Sequence, residues 1–168
     1  MVNTPICNFC AKTGVLCKKC KNKLRKKKIT NLDVEISRAF AKIELRYAKQ
    51  LQDVTFERAH QLNGSVALLT RNGSVLLQNP EILEHIETEL RRPVEIVERK
   101  GDTRTTFALF FAPLDIVEID QIFVPPEGDI ELRITLRGNP DQMRFSVEQT
   151  EQIARLISKN PVRIEIQE

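Results

Sequence analysis

Hydrophobic residues recur every three or four positions after residue 30, and this period predicts an amphipathic helix of about five turns. Thr30-x-x-Asp33 resembles a capping box with Asp in the place of Glu, so we expect the helix to begin near Thr30. We expect this long helix to link the N-terminal segment to the folded body. The predicted buried stripe consists of Leu32, Ile36, Phe40, Ile43, Tyr47 and Leu51.

Farther along the chain the pattern changes to strands and shorter helices. Asn63-Gly64, the strongest two-residue turn signal, separates VTFERAHQL from SVALLT and predicts a hairpin. The PPEGD turn separates LDIVEIDQIFV from IELRITL in the same way. A short apolar helix, FALFF, is predicted between the hairpins, capped at Asp102 or Thr103. After the first hairpin we predict a helix at about 80–92, capped by Asn79, followed by the strand VEIVER. After the second hairpin we predict a helix from the Ser146-x-x-Gln149 capping box to about Ser158, followed by the strand VRIEIQ.

The order of these elements indicates an internal duplication. Pro93 and Pro161 stand 68 residues apart, each at the joint between a helix and a strand, and Gly64 and Gly128 of the two turns stand 64 apart. The sequence therefore predicts an α+β fold in which a β-β-α-β unit occurs twice.

The four cysteines of the chain fall in one short segment, as two CxxC pairs with six residues between the pairs. Two such turns supply the closed shell of four sulfurs that Zn²⁺ accepts in structural sites. Gly14, in the spacer, lets the chain reverse direction. We predict one structural Zn²⁺ that folds the segment and does not catalyse, because a closed shell leaves no open coordination position. The predicted ligands are Cys7, Cys10, Cys17 and Cys20.

Three other uses of these cysteines are open from the sequence. Disulfides suit a small secreted chain, but nothing resembling a signal peptide precedes the cysteines. A redox CxxC follows a strand, and two of them side by side would be unusual. An iron–sulfur cluster stays open, because cysteine ligands alone do not exclude iron. Cysteines confined to a metal motif fit a reducing compartment, and we expect a cytoplasmic protein.

Charge is distributed unevenly along the chain. Residues 1–28 carry nine Lys/Arg and no Asp/Glu, whereas residues 29–168 carry 17 and 23, a net charge of −6. Such a density of positive charge suits a phosphate backbone, and no apolar face accompanies it that would favour a membrane surface. We therefore predict RNA contacts by the basic arm, which we define as Lys18, Lys19, Lys21, Lys23, Arg25, Lys26, Lys27 and Lys28.

Nothing in the sequence indicates an enzyme. There is no P-loop, no GxGxxG and no G-x-S-x-G motif, and neither His60 nor His85 has a cysteine or acidic partner at ligand or triad spacing. The apolar run of Phe107, Phe110 and Phe111 has helical spacing, which favours core packing over base stacking. Four arginines are secondary candidates for phosphate contacts: Arg71, Arg91, Arg92 and Arg104.

The stretch NPEILEHIETELRRPVEIVE, together with the two β-β-α-β units, resembles the archaeal NusA-like proteins, which pair two KH domains. The resemblance covers 54–98 most clearly and 114–167 more weakly, and it does not extend to the four-cysteine segment. It implies two KH-like units and a role in the transcription machinery.

One departure from the KH pattern concerns the GXXG loop, whose glycines let the backbone approach RNA phosphates. In the first unit the loop aligns with Leu77-Gln78-Asn79-Pro80, and in the second the corresponding stretch is DQMRFS; neither contains a glycine. We therefore expect both units to be degenerate KH folds that serve as a scaffold or a protein-docking surface.

These observations predict three segments: a four-cysteine zinc knuckle with its basic arm (1–28), a first KH-like domain with its leading helix (29–112) and a second KH-like domain (113–168). We expect a non-enzymatic RNA-binding protein that contacts ribosomal RNA or a nascent transcript. Its setting would be a ribosomal subunit, as a ribosome-associated protein, or the transcription machinery, as a NusA-like component. The alternative is a protein-interaction adaptor that docks on RNA polymerase or another ribonucleoprotein without touching RNA.

Overall fold

A computed structural model describes all 168 residues. The packing of the chain divides it into two units, Met1–Glu98 and Arg99–Glu168, and each unit contains one three-stranded sheet. The protein is therefore a mixed α+β structure, as the sequence predicts, with the four cysteines clustered near its N-terminus. None of its helices is long and apolar enough to cross a lipid bilayer.

The first unit is built around a 17-residue helix, α3, which begins at the predicted capping box. The Thr30 hydroxyl accepts the backbone N–H of Asp33, and the Asp33 carboxylate accepts the backbone N–H of Thr30. The helices of this unit are α1 (Asn8–Thr13), α2 (Lys18–Arg25), α3 (Asn31–Tyr47), α4 (Ser74–Gln78) and α5 (Pro80–Leu90), and its strands are β1 (Thr55–Gln61), β2 (Val66–Arg71) and β3 (Val94–Glu98).

The first sheet has the order β1-β2-β3. The predicted turn at Asn63-Gly64 joins β1 to β2 as an antiparallel hairpin, with Gly64 at φ 84°, and β3 pairs parallel to β2. One face of the sheet packs against α3 and α5 in a single hydrophobic cluster. Its largest fully buried side chains are Phe40, Phe56, Ile36, Leu51, Leu68, Leu76, Ile82 and Ile86.

The N-terminal segment belongs to this first unit. Asn3 forms a parallel bridge with Thr55 of β1, and the side chain of Val2 is buried in the main cluster. Helix α1 packs against α3. A second small cluster joins the cysteine segment to the start of α3 and consists of Ile6, Cys10, Ala11, Cys20, Ile29 and Val34.

The second unit repeats the strand arrangement of the first. Its sheet has the order β4-β5-β6, with one antiparallel and one parallel pair, as in the first sheet. Its elements are α6 (Thr103–Phe111), β4 (Asp115–Val124), β5 (Asp129–Arg137), a 3-10 turn (Pro140–Gln142), α7 (Val147–Ser158) and β6 (Val162–Gln167).

Local details recur at matching places in the two units. The C-cap residues of α5 and α7, Arg91 and Lys159, both have left-handed backbone. In each unit the carbonyl of the proline two residues later accepts a hydrogen bond from the second strand of the sheet. Each hairpin also has a register shift two residues into its first strand. The predicted β-β-α-β duplication therefore extends to the sheet topology and to the helix–strand joints.

The structure differs from the sequence-based expectations in three local respects. A short helix, α4, follows β2 where the sequence indicated no element. Asn79 does not cap α5 with its side chain, which instead donates to the carbonyl of Val75 in α4. Finally, residues 99–112, which the sequence assigned to the first KH-like domain, lie in the second unit, because α6 packs against α7 and β4.

Candidate metal centre and basic helix

The two CxxC motifs form the starts of two short helices. Cys7 precedes α1 as its N-cap residue and Cys10 lies within it; Cys17 and Cys20 have the same positions in α2. Gly14 ends α1 with φ 78°, so the spacer reverses there as predicted. The guanidinium of Arg38 on α3 donates to the Gly14 carbonyl, which fixes the spacer against the long helix.

The four sulfur atoms converge on one point. All of them lie within 4.8 Å of one another, with Cys7 Sγ 3.2 Å from Cys10 Sγ and 4.0 Å from Cys17 Sγ. A regular tetrahedron with metal–sulfur bonds of about 2.3 Å has sulfur–sulfur edges of about 3.8 Å. The observed sulfur–sulfur distances exceed the ~2.05 Å of a disulfide bond, and all four cysteines are free. The cluster is therefore arranged to hold one metal ion.

The backbone of each motif supports the sulfurs of the other. The N–H of Cys17 donates to Cys10 Sγ at 3.0 Å, and the N–H of Cys7 donates to Cys20 Sγ at 3.4 Å. Such donors favour the thiolate form and orient the sulfurs. The two turns thus hold each other in a pseudo-symmetric arrangement.

The four thiols ionise with different ease. The backbone N–H of Cys20 lowers the pKa of Cys17 to about 6, and that of Cys10 likewise lowers the pKa of Cys7. Burial has the opposite effect on the other two thiols and raises the pKa of Cys10 to about 12, with a shift in the same direction for Cys20. The two thiols nearer the surface therefore lose their protons more easily than the buried pair, and a bound cation would favour the thiolate form of the buried pair.

The basic arm begins between the last two cysteines and forms a helix and a turn. Five of its eight residues lie on α2, and the other three lie in the turn after it. The turn is closed by Lys27 at φ 56° and by a hydrogen bond from the Lys28 N–H to the Lys23 carbonyl, and the next residue, Ile29, is buried. The predicted arm is therefore held at both ends, by the cysteine cluster and by Ile29.

All eight side chains of the basic arm are exposed. None takes part in an ion pair, and the one hydrogen bond of their side chains runs from Lys23 Nζ to the carbonyl of Pro5. Two of the secondary arginine candidates differ in this respect, because Arg71 pairs with Glu57 and Arg92 with Glu35.

The remaining candidates lie apart from the cysteine cluster. His85 is on α5 and its Nδ1 lies 3.1 Å from the Tyr47 hydroxyl, which donates to Glu81 at 2.7 Å. Phe107 and Phe111 are buried, as their helical spacing predicts. Phe9, between the first two cysteines, is 65% exposed, and no pattern in the sequence marks it as a functional residue.

Comparisons with known proteins give a fold and no family. No protein-family model and no curated protein matches the chain. The chain is similar to a solved structure described as the crystal structure of APE1850, with a TM-score of 0.52 and 17% sequence identity over 77% of this chain and 96% of that one. At this identity the likeness shows a shared fold alone.

Proposed function

We propose that the protein is a zinc-containing RNA-binding protein that contacts RNA phosphates through the basic arm. The observation that carries this proposal is the set of eight exposed cationic side chains, free of carboxylate partners, on a helix that begins within the cysteine cluster and on the turn that follows it. Each lysine or arginine placed against a phosphate releases a condensed counterion, which favours binding to a polyanion.

The distribution of charge on α2 supports a role in ligand binding over a role in helix stability. Helices are stabilised by acidic residues in the first turn and basic residues in the last. Helix α2 has no acid in its first turn and begins with Lys18 and Lys19. These two charges oppose the helix dipole, so an external anion accounts for them better than the helix does.

Zinc is the metal that the donor set favours. Four thiolates in a closed shell form the usual structural Zn²⁺ site, and the spacing of the sulfurs fits tetrahedral coordination. In this arrangement Cys7, Cys10, Cys17 and Cys20 would hold the ion, which fixes the first turn of α2 and therefore the direction of the basic arm.

The body of the protein supports a framework role. Under the NusA-like resemblance, the two sheets with their helices are KH-like units, and the joint between α4 and α5 takes the place of the GXXG loop. That joint consists of Asn79, followed by Pro80, which has no N–H to offer a phosphate. We therefore assign the RNA contacts to the basic arm. We assign contacts with protein partners, on a ribosomal subunit or on RNA polymerase, to the acidic body.

A salt titration tests the proposal. The full-length, zinc-loaded protein is titrated against fluorescein-labelled single-stranded RNA at several salt concentrations, beside the variant Lys18→Gln/Lys21→Gln/Arg25→Gln/Lys26→Gln. We expect the wild-type affinity to fall steeply with salt and the slope of log K against log salt to decrease by up to about 3 in the variant, at about 0.7 per phosphate contact.

A charge-matched variant controls for net charge. The control replaces four exposed residues outside the basic arm by Gln, namely Lys49, Lys100, Arg137 and Arg155. None of them is in an ion pair of the structure, so the control removes the same number of positive charges without changing the arm. This control should keep the wild-type slope. Equal slopes in the two variants, or no RNA binding by the wild type at low salt, would overturn the proposal in favour of the adaptor hypothesis. Isolation of the native protein would then show whether it co-migrates with a ribosomal subunit or with polymerase.

A further inference from the structure

The side chain of Phe9 is exposed on the metal-binding turn without a partner in the protein. Of the eight phenylalanines in the chain, only Phe9 and Phe123 leave more than a third of their surface exposed, at 65% and 67%. The ring of Phe9 is in neither of the hydrophobic clusters of the first unit, and it makes none of the aromatic pairs found elsewhere in the chain. Single exposed apolar residues are common on proteins, so exposure alone assigns no role.

The position of Phe9 relative to the basic arm indicates a role for the exposed ring. The two CxxC turns are related residue by residue, so Asn8-Phe9 and Lys18-Lys19 occupy equivalent places. The turns are joined through the sulfurs, with Cys7 Sγ and Cys17 Sγ 4.0 Å apart, and through the crossed hydrogen bonds to Cys10 and Cys20. The aromatic ring and the first two lysines of the arm therefore occupy corresponding positions on two turns that share one cluster of sulfurs.

The ring is also held on a firm support. Phe9 lies in α1 between two cysteines of the cluster, and its carbonyl accepts the Thr13 hydroxyl at 2.8 Å. Helix α1 packs on α3 through Cys10 and Ala11. A ligand that stacks on the ring thus meets a surface whose backbone is already ordered.

The surrounding charge identifies the ligand. Residues 1–28 contain nine Lys/Arg and no acidic residue, and the nearby Glu44 of α3 is paired with the N-terminal amine. The net positive charge of the segment that carries Phe9 favours an anionic partner. An aromatic face beside lysines is the combination with which proteins bind unpaired nucleotides, because the lysines hold the backbone and the ring stacks on a base. In duplex RNA the bases are stacked on each other and offer no free face to such a ring.

We propose that Phe9 is the base-stacking residue of an RNA site shared with the basic arm, and that this site takes unpaired nucleotides in preference to duplex RNA. The inference rests on the proposed function and deepens it by naming the substrate class. It adds to the electrostatic contact a second one that does not depend on salt.

Affinity measurements on three variants test the inference. Full-length, zinc-loaded Phe9→Ala, Phe9→Tyr and Phe123→Ala are titrated with labelled oligouridylate and with a duplex RNA of equal phosphate number. We expect Phe9→Ala to weaken binding of the single strand by about 5- to 150-fold, the range for loss of one stacked base, with the salt slope unchanged. Binding of the duplex should stay at the wild-type level, and Phe9→Tyr should bind the single strand like the wild type. Phe123 lies on β4 among acidic residues, so Phe123→Ala should leave both RNAs unaffected.

A spectroscopic variant reports contact directly. The chain contains no tryptophan, so Phe9→Trp places a single indole at the site, and Phe123→Trp places one at the control position. We expect oligouridylate to quench the emission of Phe9→Trp and to leave that of Phe123→Trp unchanged. This readout stays valid if Phe9→Ala proves to bind metal poorly, because tryptophan keeps an apolar ring at the position.

The outcomes separate the inference from the proposed function. If the wild type binds RNA with the expected salt slope but Phe9→Ala binds the single strand as tightly as Phe123→Ala, or if the emission of Phe9→Trp is not quenched, the stacking role is wrong while the electrostatic one stands. If the wild type binds neither RNA at low salt, both fall. Quenching of Phe9→Trp by the duplex as strongly as by the single strand would overturn the preference for unpaired nucleotides.

Discussion

The carboxylate of Asp33 on α3 accepts the backbone N–H of Ala59 on β1 at 2.8 Å. The same carboxylate accepts the backbone N–H of Thr30 and pairs with Arg58 at 2.9 Å, although Asp33 itself is fully buried. One side chain therefore starts the long helix, satisfies a strand N–H and neutralises a neighbouring cation. It joins the first sheet to the helix that follows the basic arm.

Replacing Asp33 by Ala should be strongly destabilising. The substitution leaves the buried N–H of Ala59 without its acceptor, which costs about 1–3 kcal/mol, and it also removes the capping box of α3 and the counter-charge of Arg58. Urea denaturation followed by far-UV circular dichroism measures the loss. Arg58→Ala should cost less, because the Arg58 side chain is one-third exposed and the carboxylate keeps its other donors. A smaller loss for Asp33→Ala than for Arg58→Ala would contradict this assignment.

The contacts of Asp33 show which structural features can be predicted from the sequence and which cannot. Local rules predicted its capping box, the Asn63-Gly64 turn and the Ser146 capping box, and the structure confirms all three. Each of these signals acts within a few residues, so it can be recognised in the sequence. The hydrogen bond from Ala59 to Asp33 joins residues 26 positions apart, and no local sequence pattern predicts it.

The same limit applies to the candidate site. The spacing of the cysteines predicted their convergence, because two CxxC turns have few other ways to be satisfied. The exposure of Phe9 and the helical conformation of the basic arm depend on how α1 and α2 pack on α3, which the sequence does not show. Helix α4 was not predicted, because five residues are too few to show a helical period of hydrophobic residues.

Loss of one cysteine should release the metal. Cys20→Ser removes one of four sulfurs from the cluster and is expected to lower the metal content from about one ion per chain to near zero. Elemental analysis of the purified protein measures the content and distinguishes zinc from iron. Cys20 also lies in the small cluster with Ile6 and Ile29, so amide hydrogen exchange in α1 and α2 should become faster in the variant.

Val15→Ala is the control for the cysteine variant. Val15 lies in the spacer between the two motifs and is 64% exposed, so its truncation leaves the sulfurs and their donors in place. It should retain the metal and the slow exchange of α2. Full metal content in Cys20→Ser would show that this cysteine is not a ligand.

Gly73 lies too close to buried side chains to accept a methyl group. A Cβ at this position would lie 2.0 Å from Thr70 Oγ1 and 2.9 Å from Ile96 Cγ2, and Thr70 is fully buried. The backbone of Gly73 has an ordinary φ of −65°, so the cost of Gly73→Ala is steric and not conformational. We expect a loss of about 1–3 kcal/mol in urea denaturation, as for other overpacked cores.

A double-mutant cycle isolates this steric cause. Thr70→Ala removes the closest atom, so Gly73→Ala should cost less in the Thr70→Ala background than in the wild type. Equal costs in the two backgrounds would mean that the closeness of Thr70 does not limit this position.

Asp102 gives the second unit a dependence on acid pH. Its carboxylate accepts the backbone N–H of Thr105 at 2.8 Å at the start of α6, and this bond lowers the pKa of Asp102 below its ordinary 3.8. The unfolded chain therefore binds the proton more readily, so the contribution of the carboxylate is complete above about pH 5 and is lost as pH falls through the lower folded value. Asp102→Asn keeps an oxygen at the cap but cannot ionise. Urea midpoints measured from pH 2 to 6 should show the wild type gaining on this variant as pH rises and a constant difference above about pH 5. A difference that does not change with pH would mean that the cap acts through its oxygen alone, without its charge.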